Sequence, residues 1–374
     1  MRVLIVGAGI AGLTLAALLR RQGRTVDIVE RSPAFNYPSY PLCLHPLGSR
    51  ILHGLGAHRA FVARSLSIGR CEICGSDGRP VKTLEIHQAA GTNGNVRTID
   101  SRNLLRLLFR AAGSPEIRVA STVEEIAIGD VRVSVKVSEG TSAEYDLVVG
   151  ADGVYSAMRG HVDPSPDAFD TGWACWTWWD DASASAADRI SEQWGRSRLV
   201  GFYPVPRKLG VLAAAPLRSL DGDHRKERIK VAFRHFKGPA RDVLAAMPAP
   251  MPVSHWKIED RRARRWVNGR VVLLGDAACS FLPPSMLGTA MALESAAVLA
   301  DALSRAGSRD IPHALTIYER RVRARVESAQ TESRNLARHM FLARWPLSLR
   351  SAAARFDALS RTSARAAALM NDRI

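Results

Sequence analysis

At 374 residues the chain exceeds one typical domain, and 47% hydrophobic with 24% charged residues describes a globular protein, not a disordered one. The formal charge of +16 comes mostly from arginine, 45 of the 52 basic residues, and no RNA- or DNA-reading motif accompanies it, so no nucleic-acid partner is expected. No uninterrupted apolar run reaches ~18 residues, which argues against a transmembrane helix.

Met1-Arg2 leads straight into the first strand, leaving no room for a signal peptide, and a cytoplasmic location is expected. Val3-Leu4-Ile5-Val6 is an unbroken apolar run, as suits a parallel strand covered on both faces. In the following Gly7-Ala8-Gly9-Ile10-Ala11-Gly12, Gly7 allows a tight turn and Gly9 lets backbone approach a pyrophosphate. Gly12 permits close helix–strand packing. A helix from near Ile10, with Leu13, Leu15, Ala16, Leu18 and Leu19 turned inward, aims its free N–H groups at phosphates. Gly23 ends that helix, and residues 25 to 29 supply a second strand. Glu30, 18 residues past Gly12, stands where an acid reaches ribose hydroxyls. A nicotinamide-binding unit would use the same residues; Arg31 directly after the acid tips the reading toward FAD.

Further along, Cys71-Glu72-Ile73-Cys74 is a single CxxC ahead of a hairpin turn at Gly75-Ser76-Asp77-Gly78. One such pair cannot make a four-ligand zinc site, so no metal is expected, and five scattered cysteines read as reduced structural thiols. Ser101 reads as a helix N-cap from which Arg102 projects in the first turn. Val123 follows a short strand. Two more apolar strands then end in small-residue turns bearing an aspartate. The first is Leu147-Val148-Val149-Gly150-Ala151-Asp152-Gly153, continuing to Arg159. The second is Val271-Val272-Leu273-Leu274-Gly275-Asp276-Ala277-Ala278, continuing through Pro283-Pro284 to Gly288-Thr289. Between them, residues 166 to 262 carry alternating and aromatic runs with turn signals at Gly210 and Asp221-Gly222-Asp223, as an inserted antiparallel sheet would. Four tryptophans fall in positions 173 to 179; strand alternation puts Trp176 and Trp178 on one face and Trp173 and Trp179 on the other. Sheet-core packing accounts for at least half of them, and an aromatic wall of a substrate pocket for one or two. Residues 312 to 374 read as helices punctuated at Pro312 and Pro346.

The three glycine- and aspartate-bearing stretches, in this order and at this separation, resemble the group A flavoprotein monooxygenases, which include p-hydroxybenzoate hydroxylase and the tetracycline-modifying enzymes. The resemblance covers roughly residues 1 to 330. It implies that Gly7, Gly9, Ala11, Gly12, Glu30 and Arg31 bind the ADP half of FAD, with Arg102 near the pyrophosphate and Val123 giving adenine a backbone contact. Asp152-Gly153 matches the family's DG motif. Gly275-Asp276 matches its GD motif, whose aspartate holds the ribityl or ribose region, and Gly288 and Thr289 lie in its flavin loop. The implied fold is α/β, a Rossmann-like FAD-binding lobe (1–70, 95–165 and 265–310) interleaved with a mostly antiparallel β-sheet substrate lobe (71–94 and 166–264), plus C-terminal helices (311–374). His45, Trp176 and Tyr203 become candidate pocket residues, each also explicable as a structural residue.

The implied activity is FAD-dependent monooxygenation. NAD(P)H reduces the flavin, O2 adds to give a C4a-hydroperoxide, and a hydrophobic aromatic or polyketide-like molecule is hydroxylated or epoxidised. A reductase or dehydrogenase of the same fold, or a non-catalytic flavin-bearing scaffold, are the other classes the same residues allow. One departure stands out. Relatives carry two glycines in the loop after Asp276, whereas here Met286 takes the place of the first and only Gly288 remains.

Overall fold

The computed structural model describes residues 1–34, 37–86, 95–138, 140–180, 188–195, 197–217, 226–247 and 254–342. The expected turn at Asp221-Gly222-Asp223 and the helical stretch beyond residue 342, with Pro346, lie outside the described residues.

The apolar runs of the three motifs become adjacent strands of one six-stranded sheet. Its order is Val267–Asn268, Val271–Leu273, Leu147–Gly150, Arg2–Val6, Thr25–Val29 and Ile117–Arg118. All pairs are parallel except the first, so the carboxyl ends of the three motif strands meet along one edge. Val3, Leu4, Ile5, Leu147, Val148, Val149, Val271, Val272 and Leu273 are all fully buried, as a sheet with helices on both faces demands. The Ile10–Arg21 helix, the Gly288–Ser304 helix and the 27-residue Ile311–Ala337 helix contribute to the same core. A three-stranded antiparallel sheet of residues 123–145 packs its apolar face into this core as well.

The inserted segment and the hairpin at 70–85 build a separate seven-stranded sheet. Its order is Ser254–Arg262, Asp167–Asp180, Lys208–Pro216, Arg198–Val205, Arg189–Gly195, Arg70–Gly75 and Pro80–Glu85. All its pairs are antiparallel except Arg189–Gly195 beside Arg70–Gly75. The CxxC thus lies along a strand, and the turn from Gly75 to Gly78 joins it to the next, with Gly78 at φ +84°. All five cysteines are free, and Cys279 is buried in the main core.

The two faces of this sheet differ. Trp176 and Trp178 share one face, as alternation requires, and pack with Ile229, Val243 and Leu244 of two short helices that cover the sheet and with Phe233 and Phe236 between them. Trp173 and Cys175 point the other way, where Trp173 meets Phe341 at 4.6 Å between ring centroids. Trp176 is fully buried against the covering helices and so is a core residue, not the pocket wall expected of it. The helices at 226–245 decide which face is the outer one, and strand alternation alone carries no such information.

Candidate functional site

The three motifs interlock pairwise. Gly7 (φ +107°) sits so close to the second motif that a Cβ there would fall 2.4 Å from the Ala151 carbonyl oxygen. Gly275 (φ +61°) faces the first helix, where its Cβ would come 2.7 Å from that of Ala11. Arg159, 3% exposed, joins the second motif to the third. Its Nε–H donates to the Ala277 carbonyl at 2.8 Å and Nη2 to the Asp276 carbonyl at 2.8 Å, while Nη1 reaches back to Val154 O at 2.9 Å. These small residues and this one guanidinium hold three turns together at the sheet edge.

The groove that results fits a dinucleotide. A Cβ on Gly12 would lie 2.1 Å from Gly7 O, so that glycine serves the packing of helix on strand. Gly9 is different: a Cβ there would meet nothing within 4 Å, which leaves open space above the start of the Ile10–Arg21 helix. The first N–H groups of that helix have no intrahelical partner and face this space. Glu30 is 7% exposed and anchored by Ala8 N–H and Ser32 N–H, each at 2.9 Å, and the Tyr37 hydroxyl also donates to it. Arg31 is exposed. Ser121 N–H bonds Glu30 O at 3.0 Å, which places Val123, 6% exposed and first in its strand, beside the same acid.

Arg102 emerges from the first turn of the Ser101–Ala111 helix, and its Nε donates to Tyr37 O at 2.7 Å. The N-cap is Asp100, not the expected Ser101: the Asp100 carboxylate accepts Arg102 N–H at 2.9 Å, and the Ser101 hydroxyl turns to Pro38 O. Two acceptable capping residues stand side by side here, and the extended conformation falls on Asp100. Asp152 accepts from the Ser156 hydroxyl and from Ala157 and Met158 N–H at 2.6 to 3.1 Å, so its carboxylate caps its own turn.

A cavity of about 390 Å³ opens between this edge and the inner face of the seven-stranded sheet. On the nucleotide side it is lined by Tyr40, Val154, Asp276, Gly288 and Thr289, and on the sheet side by Cys175, Glu192, Leu199, Tyr203, Leu212 and Trp256. Asp276 is exposed to the cavity yet flanked by protein, and burial pushes its carboxyl up to about 6 against the opposing charge of Arg159. His45 lies outside the lining, two residues past Cys43. Its carbonyl accepts the first N–H bonds of the Pro46–Gly54 helix, and burial holds its imidazole neutral, down to about 4. Tyr203 is in the lining, 8% exposed, with its hydroxyl 2.8 Å from Glu192 Oε1. The tryptophan in the lining is Trp256, which follows a proline-rich stretch of sequence and lies in no tryptophan cluster that would mark it. Among the described residues, no His/Cys/Asp/Glu group could hold a metal ion, and no helix is long and apolar enough to cross a membrane.

A parallel sheet ending in a glycine-bearing phosphate turn, a buried ribose-directed acid and a second sheet over the cavity define a flavin-nucleotide-binding fold. Residues 1–333 match the family described as "FAD binding domain". The chain is 30% identical over 325 residues to the aurachin C monooxygenase/isomerase of Stigmatella aurantiaca, covering 85% of this chain and 84% of that protein. It is 27% identical over 348 residues to the 2-heptyl-3-hydroxy-4(1H)-quinolone synthase of Pseudomonas aeruginosa, covering 89% and 88%. A point variant of Klebsiella pneumoniae HpxO in complex with FAD superposes with a TM-score of 0.84 at 23% identity, over 96% of this chain and 94% of that one, a likeness of fold. The chain belongs to the FAD-binding domain family, among its FAD-dependent monooxygenases.

Proposed function

We propose that the protein uses NAD(P)H and O2 to hydroxylate or epoxidise a hydrophobic aromatic molecule held between the nucleotide edge and the seven-stranded sheet. One observation carries this reading: Asp276, Gly288 and Thr289 share a single cavity lining with Leu199, Tyr203, Leu212 and Trp256. A ring cofactor and a ring substrate would therefore meet inside one cavity. Two relatives support the class, one named for a monooxygenase and isomerase of aurachin C and one for a hydroxylated 4(1H)-quinolone.

In this reading Gly7 and Gly9 present backbone to the pyrophosphate, Ala11 and Gly12 let the helix that faces it pack close to the neighbouring turns, and Glu30 accepts from the ribose, exchanging the Tyr37 hydroxyl for ligand hydroxyls. Arg31 and Arg102 supply positive charge beside the phosphates, and Val123 offers backbone to the adenine. Asp152 shapes the turn that Arg159 holds, Asp276 accepts from the ribityl chain, and Gly288 and Thr289 open the helix beside the flavin ring. Bound there, FAD would take electrons from NAD(P)H and activate O2. The protein's part is positioning and drying: Leu199, Leu212, Ala214 and Trp256 exclude water and offer apolar and aromatic contact to a flat substrate. The lobes divide as the two large sheets do. The five free cysteines fit a reducing, cytoplasmic setting.

The test is NADH and NADPH oxidation by the FAD-loaded protein against a panel of bicyclic aromatics, with and without O2. Ligand-stimulated, O2-dependent oxidation with one oxygen atom in the product is expected. Reduction of a ligand double bond without O2 would overturn the monooxygenase assignment.

A further inference from the structure

The seven-stranded sheet contributes two glutamates to the cavity lining, Glu259 on its edge strand and the more deeply buried Glu192. Glu192 is 7% exposed, on the interior Arg189–Gly195 strand, which lies four strand spacings, about 19 Å, from the Ser254–Arg262 edge strand. Its cross-strand neighbour is Gly201, and the missing side chain there is what makes the arrangement possible. A Cβ on Gly201 would stand 2.6 Å from the Tyr203 ring, so that ring lies folded back over the glycine. Folded this way, Tyr203 brings its hydroxyl 2.8 Å from Glu192 Oε1. Trp194 Nε1, which can only donate, holds Oε2 at 2.8 Å. Each carboxylate oxygen thus receives one neutral donor from the protein and keeps a second lone pair.

A buried carboxylate costs free energy unless its acceptor sites are filled. Burial accordingly pushes Glu192 up, against the pull of its two donors. The surroundings are otherwise apolar or weakly polar: Cys43, Cys71, Ile190 and Leu212 flank Tyr203. A fold that only needed a packed sheet would place a hydrophobic residue at this position. The remaining lone pairs are satisfied best by a ligand that brings its own hydrogen-bond donor.

We propose that Glu192, positioned by Tyr203 and Trp194, is the substrate-anchoring acceptor of this cavity and selects aromatic molecules carrying a ring N–H, amino or hydroxyl donor over those bearing a carboxylate. The inference deepens the hydroxylase reading and rests on it. A donor on the substrate fixes which ring edge points away from the nucleotide side, and so which carbon faces the flavin. A substrate carboxylate in the same place would meet like charge in a low-dielectric setting and be rejected.

The experiment titrates the FAD-loaded protein, without O2 or NAD(P)H, with 1-naphthol, 1-methoxynaphthalene and 1-naphthoate, reading Kd from perturbation of the flavin absorption bands. Wild type should bind 1-naphthol at least about ten-fold more tightly than either analogue, a difference of about 1.4 kcal/mol. Glu192→Gln, checked for FAD content and melting temperature, should compress the naphthol-to-methoxynaphthalene ratio to near unity. A purely structural Glu192 would shift the melting temperature and leave that ratio intact, which would overturn the proposal. Should the variant fail to fold, the wild-type comparison decides, since 1-naphthoate binding as well as 1-naphthol is incompatible with an anchoring carboxylate. Equal binding of the naphthol and its methyl ether sinks the anchor alone, whereas silence from all three bicyclics overturns the aromatic-cavity reading and the anchor with it.

Discussion

Arg159 donates its Nε–H to the carbonyl of Ala277 across 118 residues of sequence, at 2.8 Å, and with this bond the second motif grips the third. The same guanidinium satisfies the Asp276 and Val154 carbonyls, so removing it would orphan several acceptors in a nearly closed site. Arg159→Met keeps part of the apolar stem and deletes every donor. It should destabilise the protein by about 3 kcal/mol, since each buried group left unsatisfied costs ~1–3 kcal/mol. FAD affinity should fall with it, because the turn bearing Asp276 loses its tether. A urea midpoint and a flavin Kd both equal to wild type would show that the clamp is dispensable.

The first motif separates a folding role from a ligand role. Gly12→Ala places a Cβ 2.1 Å from the Gly7 carbonyl oxygen, a backbone clash that no rotamer relieves. That variant should be strongly destabilised even without cofactor, by more than about 3 kcal/mol. At Gly9 an added Cβ meets nothing within 4 Å, and the residue has an ordinary extended backbone, φ −77°, so Gly9→Val is tolerated by the fold itself. It should fold with an unchanged apo-protein melting temperature yet fail to hold FAD. Undiminished flavin content in Gly9→Val would remove Gly9 from the pyrophosphate site.

Much of this was legible in the chain because strand, turn and helix chemistry is local. The three apolar runs, their glycines and Glu30 announce a parallel sheet edge without any partner being known. Arg159 sits in plain view at the end of the second motif, but what it binds is set by the third motif's arrival beside it. Glu192 lay beyond reach for a related reason. On its strand Arg189, Ser191 and Gln193 share a polar face, and Glu192 interrupts the opposite face of Ile190 and Trp194, which reads as a break in the pattern; only Gly201 across the ladder makes room for the acid in the cavity. Trp176 shows the opposite case: its period was readable, whereas the covering helices that bury it belong to a different stretch of chain. Asp100 displaced Ser101 as N-cap because neighbouring capping residues compete, and the winner depends on Ser39 and Lys208, both bonded to Asp100.

Asp276 gives the apo protein a pH dependence of unusual sign. Its carboxyl is pushed from 3.8 up to about 6 by burial. Between those values the folded chain holds a proton that the unfolded chain has released, so this group's contribution to stability is present at low pH and lost as pH rises through about 6. His45 acts the other way, since burial lowers it from 6.5 to about 4 and the unfolded chain takes up the proton. Asp276→Asn isolates the first effect. Urea midpoints of the apo variant, measured from pH 4.5 to 7, should decline less with rising pH than those of wild type. FAD binding by the variant should weaken by about 1.5–3 kcal/mol through loss of a charge-assisted hydrogen bond. Parallel midpoint curves would mean that Asp276 titrates alike in both states.

Met286 occupies a backbone conformation made for glycine. Its φ of +56° and ψ of +16° are left-handed, a state that costs a non-glycine residue of order 1–3 kcal/mol. Glycine would adopt this conformation without strain, so what the methionine adds is its side chain. That side chain lines the cavity and packs against the Cys43, Ile68, Val96, Ile190 and Tyr203 cluster, next to the Glu192 site. The side chain does not pack into the helix core away from the cavity. Met286→Gly should relieve the local strain, leave the adenosine side untouched and keep FAD content at the wild-type level. It should also empty the space beside Tyr203, changing the flavin absorption bands and lowering the fraction of NAD(P)H oxidation coupled to product. Flavin spectrum, FAD affinity and coupling are measured together on the folded variant. An unchanged spectrum with unchanged coupling would mean that the methionine fills space without shaping the site.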